Sequence, residues 1–379
     1  MAPGSENPEG PRITVCLLAG RTMLEGAAGS LRYLQVALPD EGVDVIIVVP
    51  EHRRVTALEI GPTTLVTFPE PPWILRRWAR HKLVRDVAGR IEALRDETPV
   101  VIHALDATVL PQASELATAT GAELTVTLST THGFDDPEFL TTLRQAAMVV
   151  TPSERLAGRL EKVAGSTLRQ RTIGFGAIVS EATAAFSPAN RSRTIVYMGP
   201  LRSARAGEVL LRAAKQAAQH APNLLVFVVG KGPAEGHWRQ VADGLGIRSQ
   251  VIFTGNIDNW QSAMHSADIF CLPNATHDVR EEPVQALADG LAVVAADGSM
   301  YDCFRHEQNA LIFQQEDEEG LAQAFRRLLT EPGLARRLGE AGQAHAREKH
   351  SVGAMVNAHV RLYESLTEHR RTLPLPTGR

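Results

Sequence analysis

The sequence predicts an α/β protein of two Rossmann-like domains, each built on a mostly parallel sheet. Short apolar runs rich in β-branched residues alternate with longer amphipathic segments along the chain. Continuous apolar strands of this kind are buried on both faces, which requires helices on both sides of a parallel sheet. The series of strands starts again after a polar stretch near Pro188, so we predict two doubly wound domains.

The strands predicted in the first domain are short runs dominated by Val, Ile, Leu and Thr. Their sequences are ITVCLL, VDVIIVV, PVVIHAL, ELTVTL and MVVTPS. The second domain repeats the pattern with TIVYMG, LLVFVVG, VIFTG, DIFCLP and AVVAA. These runs are far shorter than the roughly 20 apolar residues that a membrane-spanning helix needs, so the sequence predicts buried strands rather than membrane spans.

The polar stretch AAFSPANRSR has no apolar period and separates the two series of strands. Near the end of the chain, apolar residues recur at helical spacing from Val352 to Leu366, and this last helix needs a partner for its stripe. We therefore expect it to return to the first domain. The predicted organisation is a disordered tail at 1–12, a first domain at 13–188, a second domain at 189–350, a returning helix at 351–366 and a loose tail at 367–379.

Composition narrows the class of protein. The 379 residues carry a formal net charge of −4, which argues against general electrostatic binding of nucleic acid. Cys16, Cys271 and Cys303 have no paired spacing and fit buried thiols better than disulfides or a metal site. Neither end resembles a signal peptide. We therefore expect a cytoplasmic protein.

Two Rossmann-like domains are typical of dehydrogenases, of secreted binding proteins and of nucleotide-sugar transferases. The first strand is followed by RTMLEGAAGSLRYL, in which Gly26 and Gly29 do not have the spacing of a dinucleotide-binding fingerprint. A secreted binding protein would need an export signal. The transferase interpretation is therefore favoured.

A series of motifs supports that interpretation from Ile13 to Leu366. In the first domain these are EGAAGSLRYLQVALPDEGVDVIIV, PVVIHALDA, AAMVVTPSERLAGRL and IGFGAIVSEATAAFSP. In the second domain they are VYMGPLRSARAGEVLLRAA, LLVFVVGKGP, VIFTGNI and ADIFCLPN. Their order and spacing resemble those of the retaining GT-B glycosyltransferases of the family 4 type, the glycosyl transferases group 1.

The resemblance implies two domains that face each other across a cleft, the first binding the acceptor and the second the donor. It implies a hexosyltransferase of polysaccharide biosynthesis that moves a sugar from a UDP- or GDP-sugar to a glycan or lipid-linked acceptor, with retention of configuration. It implies no cofactor and no metal, because fixed cations and helix N–H groups can hold the leaving diphosphate.

Motif positions assign the expected catalytic residues. Arg205 occupies the family's Lys position and can grip phosphate with a bidentate fork. His277 and Gln285 occupy the positions of two Glu residues that contact the donor sugar and its ribose. An amide such as that of Gln285 can still hydrogen-bond ribose hydroxyls, although without the stronger charge-assisted bond.

Other residues are expected to surround the donor and the acceptor. Glycine lets backbone approach a phosphate closely, which favours a donor contact at Gly26. We infer an additional cation at Arg202. The remaining expected donor-site residues are Gly232, Arg280, Glu281 and Glu282. On the acceptor side, Ser129 replaces the family's His, and His132 could stand in for it.

Each of these assignments has a plainer alternative. Gly26 could belong to an ordinary turn, and Arg205 could be a solvated loop cation. His277, Glu281 and Glu282 could form a polar loop at a helix N-terminus, where acidic residues are favoured by the helix dipole.

The chain departs from the family pattern at several positions that the chemistry would use. They are Ser129, Pro200, Ala206, His277, Arg280 and Gln285. Arg202 and Arg280 could restore the positive charge lost at Pro200. A site that has lost its function would, however, show the same substitutions in the sequence. An alternative function is therefore a catalytically inactive homologue that acts as a binding or scaffolding subunit.

The segment PPWILRRWARHKLVR combines two Trp residues, Trp73 and Trp78, with five basic residues. The basic residues are Arg76, Arg77, Arg80, Lys82 and Arg85. Such a patch suits peripheral contact with an anionic membrane or a lipid-diphosphate acceptor. The alternative is a solvated helix face with its Trp residues in the core.

Overall fold

The structure, a computed structural model, describes residues 13–51, 63–68, 76–94, 98–181, 183–184, 186, 192–257 and 260–372. By its contacts the chain divides into two units. Unit 1 combines the residues up to Ile173 with those from Met355 onward, and unit 2 is Gly174–Ala354. The tail expected at 1–12, Trp73 and Pro188 lie outside the described residues.

Unit 1 is built on a sheet of parallel strands whose order is β3-β2-β1-β4-β5-β6-β7. The strands are β1 (Ile13–Leu18), β2 (Val43–Pro50), β3 (Thr64–Phe68), β4 (Val100–Ala104), β5 (Glu123–Thr127), β6 (Met148–Thr151) and β7 (Gln170–Thr172). The helices between them are α1 (Arg21–Gly26), α2 (Ala28–Ala37), α3 (Arg76–Leu94), α4 (Leu110–Thr120), α5 (Pro137–Leu143) and α6 (Glu154–Ala164).

Unit 2 repeats this architecture with the strand order β10-β9-β8-β11-β12-β13, again parallel. Its strands are β8 (Thr194–Met198), β9 (Leu225–Val229), β10 (Val251–Gly255), β11 (Ile269–Leu272), β12 (Ala292–Ala296) and β13 (Ala310–Phe313). Its helices are α7 (Ala204–Ala217), α8 (Glu235–Gly244), α9 (Trp260–His265), α10 (Glu282–Ala288), α11 (Glu318–Thr330) and α12 (Leu334–Lys349). The predicted fold class, two Rossmann-like domains with parallel sheets, is confirmed.

The buried core of each unit contains the apolar strands that the sequence predicts. Every residue of β1, β4 and β12 is buried, as expected for strands covered on both faces. Cys16, Cys271 and Cys303 are buried and none of them forms a disulfide, as the sequence predicts. Among the described residues, no helix is both long enough and apolar enough to cross a membrane.

The last helix, α13 (Val352–Thr372), begins in unit 2 and belongs to unit 1 from Met355 onward. Its buried face contacts β4 through a polar pair, in which the Tyr363 hydroxyl lies 2.9 Å from Nδ1 of His103. The other ring nitrogen of His103 lies 2.8 Å from Oγ1 of Thr127 on β5. The helix is therefore fixed to the centre of the unit 1 sheet by hydrogen bonds as well as by apolar packing.

Candidate functional site

A pocket of about 200 Å³ lies in unit 2 at the carboxyl ends of β8 and β11. It is bounded by the loop after β8 and the loop after β11, and Trp238 and Tyr301 complete its lining. The strand β8 has β9 on one side and β11 on the other, so the chain order of the sheet reverses here. In open α/β sheets such a switch point leaves the crevice in which ligands bind.

Glycines shape one side of this crevice by bringing the loops after β8 and β9 into backbone contact. A Cβ atom on Gly230 would lie 1.9 Å from the carbonyl oxygen of Gly199, and one on Gly232 would lie 2.3 Å from that of Leu201. The Leu201 N–H donates to the Lys231 carbonyl across the same contact at 3.0 Å. Gly232 thus packs one loop against the other, and it is not among the pocket-lining residues.

The loop after β8 leads into the N-terminus of α7. Ser203 caps this helix by accepting a hydrogen bond from the Ala206 N–H at 3.1 Å. The indole N–H of Trp238 donates to the Ser203 carbonyl at 2.9 Å, which fixes the loop after β8 to helix α8. A Cβ atom on Gly207 would lie 2.4 Å from the Trp238 ring, so glycine is needed there for this packing.

Arg202 projects from this loop beside the pocket. Its Nη1 atom lies 2.9 Å from Oδ2 of Asp278, and both residues line the pocket. The Arg202 side chain is 70% exposed, and exposed ion pairs typically contribute between 0 and about 1 kcal/mol. A ligand phosphate could therefore exchange with Asp278 at small cost.

Arg280, in the loop after β11, is held more firmly than Arg202. Its Nη2 and Nε atoms donate to the two carboxylate oxygens of Glu282 at 2.7 and 3.2 Å. Burial by itself would lower the pKa of Arg280, but the charge and hydrogen bond of Glu282 raise it above its ordinary value. The guanidinium is therefore a fixed cation on the lining of the pocket.

Tyr301 fixes the backbone of the same residue. Its hydroxyl accepts the Arg280 N–H at 2.8 Å and lies 3.4 Å from the Arg280 carbonyl oxygen. Burial raises the pKa of Tyr301 far above its ordinary value, so the hydroxyl stays neutral. A second buried tyrosine, Tyr197, donates to the Pro200 carbonyl at 3.0 Å on the other side of the pocket.

The structure brings Arg202, His277 and Arg280 together around the pocket and places other predicted residues off its lining. Arg205, expected to be catalytic, donates to Glu208 at 3.2 Å and to the Glu316 carbonyl at 3.1 Å. Its side chain is 44% exposed. Glu281 and Glu282 are buried at the start of α10 and also lie off the lining.

Gln285 lies inside unit 2 with its amide satisfied by protein groups. Its Oε1 atom accepts the Ile178 N–H at 3.3 Å, and its Nε2 atom donates to the Ile178 carbonyl at 2.8 Å and to Asp289 at 2.9 Å. Burial raises the pKa of Asp289, and hydrogen bonds from Ser180 and Gln285 oppose that shift. The residue expected at the ribose thus joins α10 to the segment after β7.

The remaining predicted residues belong to unit 1. Gly26 is the last residue of α1, and Ser129 follows β5. His132 is exposed in the same loop, where its backbone N–H donates to Oγ1 of Thr130 at 3.1 Å. These residues remain predictions for the acceptor and donor sides of the site.

Unit 1 has an internal anion at its own switch point, between β1 and β4. The Asp106 carboxylate accepts the N–H groups of Gly20 at 2.7 Å, Met23 at 3.2 Å and Thr108 at 2.9 Å. The first turn of α1 is therefore already occupied by a carboxylate of the same unit. Among the described residues, no group of three or more His, Cys, Asp or Glu side chains is placed to hold a metal ion.

The sequence analysis missed two tyrosines that line the unit 2 pocket and one aspartate at the switch point of unit 1. Tyr197 lies in a buried strand, where an aromatic residue is typical of core, and Tyr301 follows β12 without a motif. Asp106 lies two residues after the end of β4, and a single acidic residue after a parallel strand was the available signal.

Comparison with known proteins identifies this architecture. Residues 192–331 match the family model for Glycosyl transferases group 1. The lipopolysaccharide core biosynthesis glycosyltransferase LpsD of Rhizobium meliloti (strain 1021) is 29% identical over 172 residues, which cover 45% of this chain and 49% of that protein. The chain matches less than half the length of the curated relatives compared.

Solved structures resemble nearly the whole chain. Sucrose-phosphate synthase from Thermosynechococcus elongatus has a TM-score of 0.77 at 17% identity, over 94% of this chain and 100% of that one. HepE of Anabaena, solved in complex with UDP, has a TM-score of 0.72 at 17% identity, over 93% and 100%. The resemblance seen in the sequence is therefore confirmed: the chain has the GT-B fold, and its residues 192–331 match the model of the Glycosyl transferases group 1.

Proposed function

We propose that the protein is a retaining glycosyltransferase that moves a sugar from a nucleotide-diphosphate-sugar to a glycan or lipid-linked acceptor. The observation that carries this proposal is the pocket at the switch point of unit 2, inside the stretch that matches group 1. Arg202 and Arg280 give it two cations, which suit a leaving diphosphate as its negative charge develops.

The donor is proposed to be a UDP- or GDP-sugar. The solved structure of HepE contains UDP, which supports this class of donor. The two arginines and the capped N-terminus of α7 would hold the diphosphate, so the proposed reaction uses no metal and no further cofactor. His277, which lines the pocket, would lie near the transferred sugar.

The acceptor is proposed to be a glycan or a lipid-linked sugar, in the context of polysaccharide biosynthesis. LpsD acts in lipopolysaccharide core biosynthesis, according to its name, and this supports an acceptor of that kind. Unit 1 would bind it near Ser129 and His132. We place the protein in the cytoplasm, with peripheral contact at the membrane through the segment from Trp73 to Arg85, and without a nucleic-acid partner.

A screen of donors tests the proposal directly. The purified protein should bind at least one of the UDP-, GDP- and ADP-sugars in calorimetry, and it should release the nucleotide slowly when that donor is incubated without acceptor. Product analysis by NMR with the accepted donor should show an unchanged anomeric configuration. Absence of both binding and turnover with all three donor classes would refute a transferase function.

A second candidate function is an inactive homologue that serves as a binding or scaffolding subunit. It is favoured by the internal hydrogen bonds of Gln285 and by the acidic partners of Arg202, Arg205 and Arg280. These contacts give polar groups at motif positions a structural role. The combined replacement His277→Glu and Gln285→Glu separates the two functions. A gain of transferase activity would indicate that the wild-type site has lost its function. Loss of an existing transferase activity would indicate that the wild-type site is altered but works.

A further inference from the structure

We propose that His265 and Asp289 form a proton-dependent clamp in unit 2, which holds the segment 174–181 against α10 and loosens when the pair loses its proton. This segment follows β7 and contains the first residues of unit 2. The clamp is a conformational device that lies outside the pocket lining, and it does not depend on the proposed function.

The segment 174–181 is attached to α10 by backbone and side-chain hydrogen bonds. Gln285 bonds both sides of Ile178, because its Oε1 atom accepts the Ile178 N–H at 3.3 Å and its Nε2 atom donates to the Ile178 carbonyl at 2.8 Å. The Ser180 N–H donates to the Ala288 carbonyl at 3.1 Å. The Ile178 residue is nevertheless 61% exposed, so polar bonds rather than apolar burial hold the segment at this position.

The Asp289 carboxylate, directly after α10, lies at the centre of this attachment and is fully buried. Its Oδ1 atom accepts the Ser180 hydroxyl at 2.7 Å and Nε2 of Gln285 at 2.9 Å. Its Oδ2 atom has no hydrogen-bond partner among the described residues. A buried carboxylate with one bare oxygen is costly in its charged form, so ionisation of Asp289 weakens the attachment unless another donor compensates.

His265, the last residue of α9, supplies such a donor only when it is protonated. Its Nδ1 atom lies 2.7 Å from the Gln261 carbonyl oxygen, which can only accept, so Nδ1 carries a proton. The Nε2 atom of the neutral ring then has none, yet it lies 3.4 Å from Oδ1 of Asp289 and from Oγ of Ser180. The Ser180 hydroxyl already donates to Asp289, so the contact is attractive only while a proton lies between the ring and the carboxylate.

The direction of the pH effect follows from both members of the pair. Burial raises the pKa of Asp289 above its ordinary value of 3.8, although Ser180, His265 and Gln285 oppose that shift. The stabilisation from this proton is therefore complete below pH 3.8 and is lost as the pH rises through the folded pKa. Histidines in general lose their proton between about pH 5 and 8. Deprotonation of either group thus loosens the clamp as the pH rises.

Other charged groups around the segment do not produce the same effect. The Nη2 atom of Arg347 on α12 lies 3.5 Å from the Ser180 carbonyl oxygen, but arginine stays charged throughout this range, and Glu181 is exposed. The carbonyl of His350, after α12, accepts the Ala177 N–H at 2.7 Å. Burial lowers the pKa of His350, so its protonation would loosen the segment in acid, which is the opposite direction.

Hydrogen–deuterium exchange of the full chain, read by mass spectrometry, tests the clamp. A peptide covering 174–181 contains the hydrogen-bonded N–H groups of Ala177, Ile178 and Ser180. After correction for the intrinsic exchange rate, its protection should be roughly three- to tenfold lower at pH 8 than at pH 6, because one unit of pKa difference corresponds to a factor of ten. A peptide covering β12 should show no such change, since it reports opening of the whole unit.

Variants identify the proton that is responsible. His265→Gln cannot gain a proton and should reduce the difference between pH 6 and pH 8 to less than about twofold. Asp289→Asn keeps the shape without the charge and should have the same effect. His220→Gln, at an exposed position in unit 2, is the matched control and should keep the full difference. The His265 side chain is 56% exposed, so its variant decides the test if Asp289→Asn does not fold.

The result that would overturn the clamp is equally specific. Protection of the 174–181 peptide that stays constant or increases from pH 6 to pH 8 would contradict the proposal. A difference that persists in full in His265→Gln would also reject it, and its loss in His350→Gln would then assign the effect to that other histidine. Because the readout is exchange of the protein alone, neither result depends on donor binding or turnover.

Discussion

At the scale of single residues, Gly207 shows how tightly the floor of the pocket is packed. A Cβ atom there would lie 2.4 Å from the buried Trp238 ring. We expect Gly207→Ala to lower the free energy of unfolding of unit 2 by about 1–3 kcal/mol, the usual cost of overpacking a core. Urea denaturation followed by Trp fluorescence measures the change.

The matched control for that substitution is Gly236→Ala in the neighbouring helix α8. A Cβ atom at Gly236 would meet no other atom within 4 Å. Alanine is the better helix former, so this variant should be neutral or more stable by up to about 1 kcal/mol. Equal destabilisation by both variants would show that the Trp238 contact is not the cause.

The sequence indicated the position of several polar residues better than their contacts. Arg280 lies in the loop after β11 and Gln285 in the helix that follows, and their roles as donor contacts stay predictions. Two of their partners, Glu282 and Asp289, are near neighbours in the sequence. The other two, Tyr301 and Ile178, come from segments whose proximity only the fold creates. The charge and hydrogen-bonding capacity of each side chain could thus be predicted from the sequence, but the distant partner to which it bonds could not.

At the scale of elements, continuous apolar runs predicted most of the buried strands, whereas β3, β7 and β13 were missed. All three lie at sheet edges, and most residues of β3 and β7 are only partly buried. An edge strand lacks neighbours on one side, so its sequence needs no unbroken apolar run. The hydrophobic pattern is therefore weakest where the sheet ends.

The helix α13 should make the stability of unit 1 depend on pH. Burial lowers the pKa of His359 to about 4 and lowers that of His103 well below its ordinary value of 6.5. Below pH 6.5 the unfolded chain then binds more protons than the folded chain. The free energy of unfolding should fall from pH 6.5 toward pH 4, by up to about 1.4 kcal/mol per pH unit for each histidine.

Denaturant titrations between pH 7 and pH 5 measure this slope. The variant His359→Gln removes one of the two groups, so its unfolding free energy should fall less steeply with acid than that of the wild type. His220→Gln, at an exposed position, is the control and should keep the wild-type slope. Identical slopes for all three proteins would contradict a role for the buried histidines.

The hydrogen bond between α13 and β4 has a separate, pH-independent consequence. Tyr363→Phe keeps the buried ring but removes the hydroxyl that bonds His103. We expect the unfolding free energy at pH 7.5 to fall by about 1–3 kcal/mol, the usual cost of leaving a buried polar group without its partner. An unchanged denaturation midpoint would indicate that the pair contributes nothing to holding the helix.

At the scale of the whole molecule, an overall charge of −4 coexists with a basic stretch on α3. Arg80 pairs with Glu115 on α4 at 2.7 Å, whereas Lys82 and Arg85 are exposed. The side chains of Arg76, Arg77 and Trp78 lie outside the described residues. Among the described residues, the proposed membrane contact therefore depends on Lys82 and Arg85, whose side chains are exposed.

We expect weak association with anionic liposomes that decreases as salt rises, because each basic residue near the headgroups contributes roughly 1 kcal/mol. Lys82→Glu with Arg85→Glu should abolish co-sedimentation at low salt. Lys162→Glu with Lys215→Glu makes the same change of charge at exposed positions on α6 and α7 and should have a much smaller effect. Equal losses in both double variants would indicate a response to net charge alone.

The backbone contact between the loops after β8 and β9 also limits how this site can evolve. Gly230 and Gly232 face carbonyl oxygens at distances that admit no side chain, so mutational drift at either position breaks the crevice itself. The loop after β11 carries no such restriction at His277 and Arg280, both of which depart from the family pattern. A side chain at either glycine would therefore separate the two loops, whereas a substitution at His277 or Arg280 would change only the groups that the pocket presents to a ligand.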